Sequence, residues 1–251
     1  NLIVNAAGDG NVICIGDACI SCCPKCCQEV CFCLSHSNAV LDYGKNDSDC
    51  LHQIQSGDTF ILSHFHKDHY QGLSSISDMS LCVSRLFYPI VPRSEGIYSE
   101  DKVYKLFILS SVLEQNSGVP QVDLINLMKQ KSHETIETIK ALKQGDFVCL
   151  KGSDYQVIWP PENPDENFSN SVRERIEEIE KTIKEDSQIR EIWDNIRKME
   201  LSEPPFSLKY DQHDFIGNPR MVEGVDRKIA KNRTEQIKQL ANHFSLCLYK
   251  K

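Results

Sequence analysis

A chain of 251 residues, 40% hydrophobic and 25% charged, can bury a substantial core in one large domain or in a domain with an insertion. No apolar run approaches the roughly 18 to 20 residues that span a membrane, and the opening NLIVNAAGDG has neither the basic leader nor the apolar stretch of a signal peptide, although the missing initiator Met leaves room for a removed leader. The formal net charge of −8 excludes a broad basic footprint for loose nucleic-acid binding while still allowing a local basic patch.

The first third reads as short strands and tight turns. LIVNAA (2–7), NVICIG (11–16), VCFCLS (30–35), AVLDYG (39–44) and TFILSHF (59–65) are β-branched and apolar, separated by Gly, Asp, Asn and Ser. GDGN (8–11) suits a hairpin turn between the first two. LFYPIVP (86–92) predicts another strand, whereas DKVYKLFILSSVLEQ (101–115) and DLINLMKQKSHETIETIKAL (123–142) carry apolar residues at helical spacing. Strands return at DFVCLKG (146–152) and YQVIWPP (155–161), the second stopped by Pro160 and Pro161.

From Ser169 to about Leu201 the chain is highly charged. Val172, Ile176, Ile179, Ile183, Ile189, Ile192, Trp193, Ile196 and Met199 recur there mostly at intervals of three or four, one apolar stripe on a long helix or a helix pair. A Pro-rich, loop-like stretch (203–220) precedes a basic helix around 227–241, and FSLCLYKK closes the chain as a strand. Strands on both sides of a helical block predict one α/β sandwich domain over 1–251 with a helical insertion at about 165–240. No internal repeat is evident.

Three of the eight histidines fall in FILSHFHKDHYQGL (60–73), directly after an apolar run. His64 and His66 lie two apart at a strand's end, so both side chains can point to one side and converge on a single ion. Asp68 and His69 follow in the turn, near enough to hold a second ion or the opposite side of the first. Imidazole and carboxylate together suit one or two Zn²⁺, with Mn²⁺ and Fe²⁺ as alternatives. Such an ion lowers the pKa of a bound water to about 7, which supplies a nucleophile near neutral pH.

SHFHKDHYQGL (63–73) resembles the metal-binding motif of the metallo-β-lactamase fold superfamily. NAVLDYG (38–44) is similar to that superfamily's strand ending in Asp-x-Gly, and GDGNVICI (8–15) to its opening hairpin. QGDFVCLKGSDYQVIWPP (144–161) with ANHFSLCLY (241–249) resembles the hydrolase domains related to DNA-uptake channel proteins. The resemblance covers roughly residues 1–92, 143–162 and 240–251, and implies a partial αββα sandwich. It also implies that His64 and His66 bind one metal and Asp68 and His69 a second. Asp68 would in addition act in catalysis by orienting the attacking water, and Asp42 would support the metal loop from outside the ligand set. The superfamily normally adds a bridging Asp after a strand like FSLCLYKK, and a later His; this chain stops at Lys251, before either. Without an initiating Met as well, it reads as a fragment of a zinc-dependent hydrolase. His36, His52, His133, His213 and His243 read as ordinary surface or core histidines.

Seven of the twelve cysteines lie between Cys19 and Cys33, unlike the even spread of a secreted disulfide scaffold, so a reducing, cytoplasmic setting is expected. In CISCCPKCCQEVCFC (19–33) the pairs Cys19/Cys22 and Cys23/Cys26 have the spacing of a structural Zn²⁺ site, or of an iron–sulfur centre. Alternatively, Cys31 and Cys33 alternate along a strand as small hydrophobes and the rest are loop thiols. The charged stripe at 173–200 is either a partner-binding segment or a cap on its own domain, and RKIAKNRTEQIKQ (227–239) either touches phosphates or is a solvated face.

Three functions compete. The first is a metal-dependent hydrolase attacking a phosphodiester in a nucleic acid or nucleotide, because HFHKDHYQGL (64–73) is similar to the DNA-repair nucleases of the superfamily. The second is a non-catalytic metal-binding or protein-interaction module that uses its helical insertion as a contact surface. The third is a zinc-ribbon-like scaffold built on the cysteines. A membrane partner is not expected.

Overall fold

A computed structural model describes residues 2–7, 10–15, 39–41, 59–66, 69–70, 73, 77, 79, 83, 85–114, 124–133, 135–150, 153–201 and 222–250. Two compact units emerge. The first comprises Asn1–Ile90, Leu124–Pro160 and Ser245–Lys251; the second comprises Val91–Asp123 and Pro161–Phe244.

The first unit carries the strands, and those before position 60 begin with an antiparallel pair. Leu2–Ala7 (β1) and Gly10–Ile15 (β2) meet with Ala7 opposite Gly10, the register a short hairpin dictates. A four-stranded parallel sheet follows in the order β3-β4-β5-β6, built from Ala39–Leu41 (β3), Thr59–Ile61 (β4), Arg85–Pro89 (β5) and Thr138–Leu142 (β6). β4 is interior to this sheet and buried at every position, as expected for a parallel strand covered on both faces. The expected strand at 30–35 lies outside the described residues.

The stretch 123–142 corrects its helical reading. A helix forms only over Leu124–Lys131 (α2 below), and Thr138–Leu142 instead pairs in parallel with β5 from Arg85↔Thr138 to Pro89↔Leu142. Ile136 and Ile139 fit a helical spacing, yet exposure alternates from Thr138 to Ala141 before Leu142 is buried, and alternation is the signature of a strand. Thr138 and Ile139 are β-branched, and that stiffness favours the pleated conformation.

An apolar core joins the parallel sheet to the helix. Phe60, Leu62, Tyr70, Leu73, Val83, Leu86, Tyr88 and Met128 are buried together, with Phe65, Leu127, Ile136, Ile139 and Ala141 packed against them. Ser132, just past the helix, donates its hydroxyl to the Val83 carbonyl at 2.7 Å and so ties the helix end to the sheet side.

The remaining strands make a three-stranded antiparallel sheet of Phe147–Leu150 (β7), Ser153–Trp159 (β8) and Cys247–Lys250 (β9). The turn into β7 uses Gly145 at φ +94°, a region that favours glycine, while the Asp146 carboxylate accepts the Lys143 backbone N–H at 3.0 Å. Residues Leu248, Val157 and Val148 bury one face of this sheet.

The second unit is helical. Its first helix, Glu100–Leu113 (α1, with Leu124–Lys131 of the other unit counted as α2), is capped by Ser99 and buried over most of its circumference. Glu166–Lys184 (α3) and Ser187–Arg197 (α4) are the two halves of the charged stretch, so the stripe lies on a helix pair. The break is at Asp186, whose carboxylate accepts the Gln188 and Ile189 N–H groups at 2.9 Å each and opens the second helix. Val172, Ile176, Ile179, Ile183, Ile189, Ile192, Trp193, Ile196 and Met199 are all buried, as their spacing requires. Arg227–Asn242 (α5), capped by Asp226, packs on both α1 and α3. Among the described residues no helix is long and apolar enough to cross a membrane.

Candidate metal centre

The site grows out of the end of β4. Leu62 continues the pairing with β5 by donating its N–H to Phe87 O at 2.8 Å, and the next residue, Ser63, accepts at its carbonyl from Leu246 N at 2.7 Å. The backbone is therefore held on both sides where the strand turns out of the sheet. Side chains then alternate. His64 and His66 are buried, while Phe65 between them packs edge-on to Tyr88, with ring centroids 6.1 Å apart. The two-residue spacing brings the His64 and His66 rings to 4.3 Å.

His69 returns to the same place. Its N–H donates to His66 O at 3.0 Å, closing a tight turn, and its ring lies 3.8 Å from that of His64. Tyr70 and Leu73 follow immediately and insert into the sheet core, with Leu73 N donating to Tyr70 O at 3.1 Å. Two core residues thus anchor the segment that carries the third imidazole.

The three histidines expose only 2%, 8% and 1% of their surface, so their rings are shielded from bulk solvent. Each offers one nitrogen such that all three lie within 4.8 Å of one another. Two imidazole nitrogens on a tetrahedral zinc with bonds of about 2.0–2.1 Å sit roughly 3.3 Å apart, within about 1.5 Å of the widest separation this triad has. Burial, and then the neighbouring His69 and His66, push the His64 pKa far below the usual imidazole value. The ring is consequently neutral at physiological pH, the state in which an imidazole ligates a metal. Donor type and spacing, with the neutral form of His64, fit a divalent transition metal; among the described residues, no carboxylate belongs to the cluster.

The sequence-derived candidates separate accordingly. His64, His66 and His69 come together in one group. Asp68, Asp42 and the cysteines Cys19, Cys22, Cys23 and Cys26 lie outside the described residues, as do His36, His52 and His213. His133 is exposed, and His243 caps α5 with its ring 6.0 Å from Phe168, in keeping with ordinary structural roles.

Sequence reasoning passed over Ser63. Its hydroxyl lies 2.9 Å from His64 Nδ1 and 3.3 Å from His69 Nδ1, and the residue is buried. The available signal was a small hydroxyl residue directly before the first histidine, at the last position of the apolar run. No family model, curated protein or solved structure matches this chain.

Proposed function

We propose that the chain carries the metal centre of a metal-dependent hydrolase of the metallo-β-lactamase fold superfamily, with a phosphodiester as substrate. The observation that carries this reading is the convergence of His64, His66 and His69 at the carboxyl end of a buried parallel strand, with the H-x-H-x-D-H spacing. Catalytic zinc centres commonly use three protein ligands and keep a further position open, and the three imidazoles found among the described residues can supply such a set. When bound, a divalent ion supplies Lewis acidity, acidifying a water towards neutral pH and drawing charge from the oxygen under attack.

The chain's own residues have distinct parts in this proposal. His64, His66 and His69 would hold the ion through neutral imidazoles, and the phosphodiester is favoured by the likeness of HFHKDHYQGL (64–73) to the DNA-repair nucleases of the superfamily. Asp68 orients the attacking water, as the resemblance implies, and Asp42 braces the loop. Tyr70 and Leu73 fix the loop's exit in the core, which limits the spread of the three rings.

The test is hydrolysis of bis-p-nitrophenyl phosphate by the zinc-loaded full-length protein, beside a thioester and a lactone of comparable reactivity. Turnover of the diester above the zinc-only background, abolished in His66→Ala, is the expected result. Stoichiometric zinc without turnover of any of the three would overturn the hydrolase reading in favour of a non-catalytic metal-binding module.

A further inference from the structure

We propose that Ser63 is the positioning residue of the metal centre: its hydroxyl oxygen accepts Nδ1–H from both His64 and His69, and so turns both Nε2 lone pairs toward the same ion. This deepens the metal-site reading and rests on it. Four observations carry it. The hydroxyl lies within hydrogen-bond distance of both Nδ1 atoms, at 2.9 and 3.3 Å. A serine oxygen has two lone pairs and one proton, so it can accept from two N–H groups at once. The two rings are adjacent, 3.8 Å between centroids, so one small group can reach both. Finally, Ser63 is itself fixed, being buried and holding Leu246 N at its carbonyl.

The chemistry of the choice is binary for each ring. A neutral imidazole carries its proton on one nitrogen and offers the other, and the hydrogen bond made by one nitrogen sets which is free. If Ser63 instead donated to either Nδ1, that ring would keep its proton on Nε2 and lose that nitrogen as a ligand. Accepting from both is the one arrangement that leaves two Nε2 lone pairs available. Outer groups of this kind commonly change metal affinity about 10- to 100-fold when removed.

The experiment reads the tautomers directly in metal-free protein. Two-bond ¹H–¹⁵N correlation spectra of ¹⁵N-labelled wild type at neutral pH should show His64 and His69 both protonated at Nδ1. In Ser63→Ala at least one of them should move to the Nε2–H form, with zinc affinity down about 10- to 100-fold; Ser63→Thr, which keeps the hydroxyl, should restore both signatures. A wild-type spectrum with either ring protonated at Nε2 would overturn the proposal, as would a folded Ser63→Ala variant with unchanged tautomers and zinc affinity. The wild-type spectrum needs no variant to fold. If zinc fails to bind wild type while both rings are Nδ1–H, the metal reading fails and the role of Ser63 in setting the tautomers stands.

Discussion

Leu73→Ala probes whether packing beneath the histidine turn holds the metal centre together. Leu73 has 0% of its surface exposed and sits among Phe60, Leu62, Tyr70, Val83, Leu86, Tyr88 and Met128. Truncation removes three carbons, worth about 2.4 kcal/mol at about 0.8 kcal/mol each. Phe60, Leu86 and Tyr88 among these neighbours belong to paired strands that cannot collapse inward, so a cavity of about 60 Å³ remains and costs about 1.4 kcal/mol more at about 24 cal/mol per Å³. The total is about 4 kcal/mol, a large part of the stability of an ordinary domain. The assay is urea unfolding in a Trp193→Phe background, so that Trp159 in β8 reports on the sheet unit. With a slope of about 2 kcal/mol per molar urea, the midpoint should fall by about 2 M with the slope unchanged. Ile158→Ala, at a side chain 46% exposed on the same unit, should stay within about 0.5 kcal/mol. A loss below about 1 kcal/mol for Leu73→Ala would show that the turn is not seated in the core, and the reasoning from packing to site geometry would fail.

Two further predictions concern the helical unit. Asp186→Ala removes the carboxylate that caps α4 and should destabilise by about 1 kcal/mol, whereas in one continuous helix the same change would stabilise through alanine's higher propensity; the sign, read by thermal unfolding, decides between them. His243 has its pKa lowered by burial first and by Arg175 second, so below about pH 6.5 the unfolded chain takes up a proton that the folded chain does not. Stability should therefore decline as pH falls below that value, and His243→Gln should show a shallower decline between pH 7.5 and 5.5 in urea unfolding; an identical decline in both proteins would refute the assignment.

Local pattern revealed the parts of this protein whose partners lie nearby in sequence. The H-x-H alternation needs only a strand end to place two rings together, and the isoleucine stripe needs only helical geometry to mark a buried face. Segments decided by distant partners were harder to read. Thr138–Leu142 takes its strand conformation from pairing with Arg85–Pro89, about fifty residues earlier, while its own Ile spacing also satisfies a helix. His69 was open to a second ion or to the far side of the first, and a single turn hydrogen bond to His66 O brings its ring to that of His64. Ser63 carried no pattern of its own, because a serine's role depends on which nitrogens its oxygen meets, and only folding determines that.

The central claim is most directly tested by zinc content, measured by elemental analysis on purified wild type, His66→Ala and Cys22→Ala after identical dialysis against a weak chelator. The expected result is that wild type and Cys22→Ala retain an equal complement of histidine-held zinc, and that His66→Ala loses it. Full zinc retention in His66→Ala, with loss in Cys22→Ala alone, would contradict a metal centre at His64, His66 and His69.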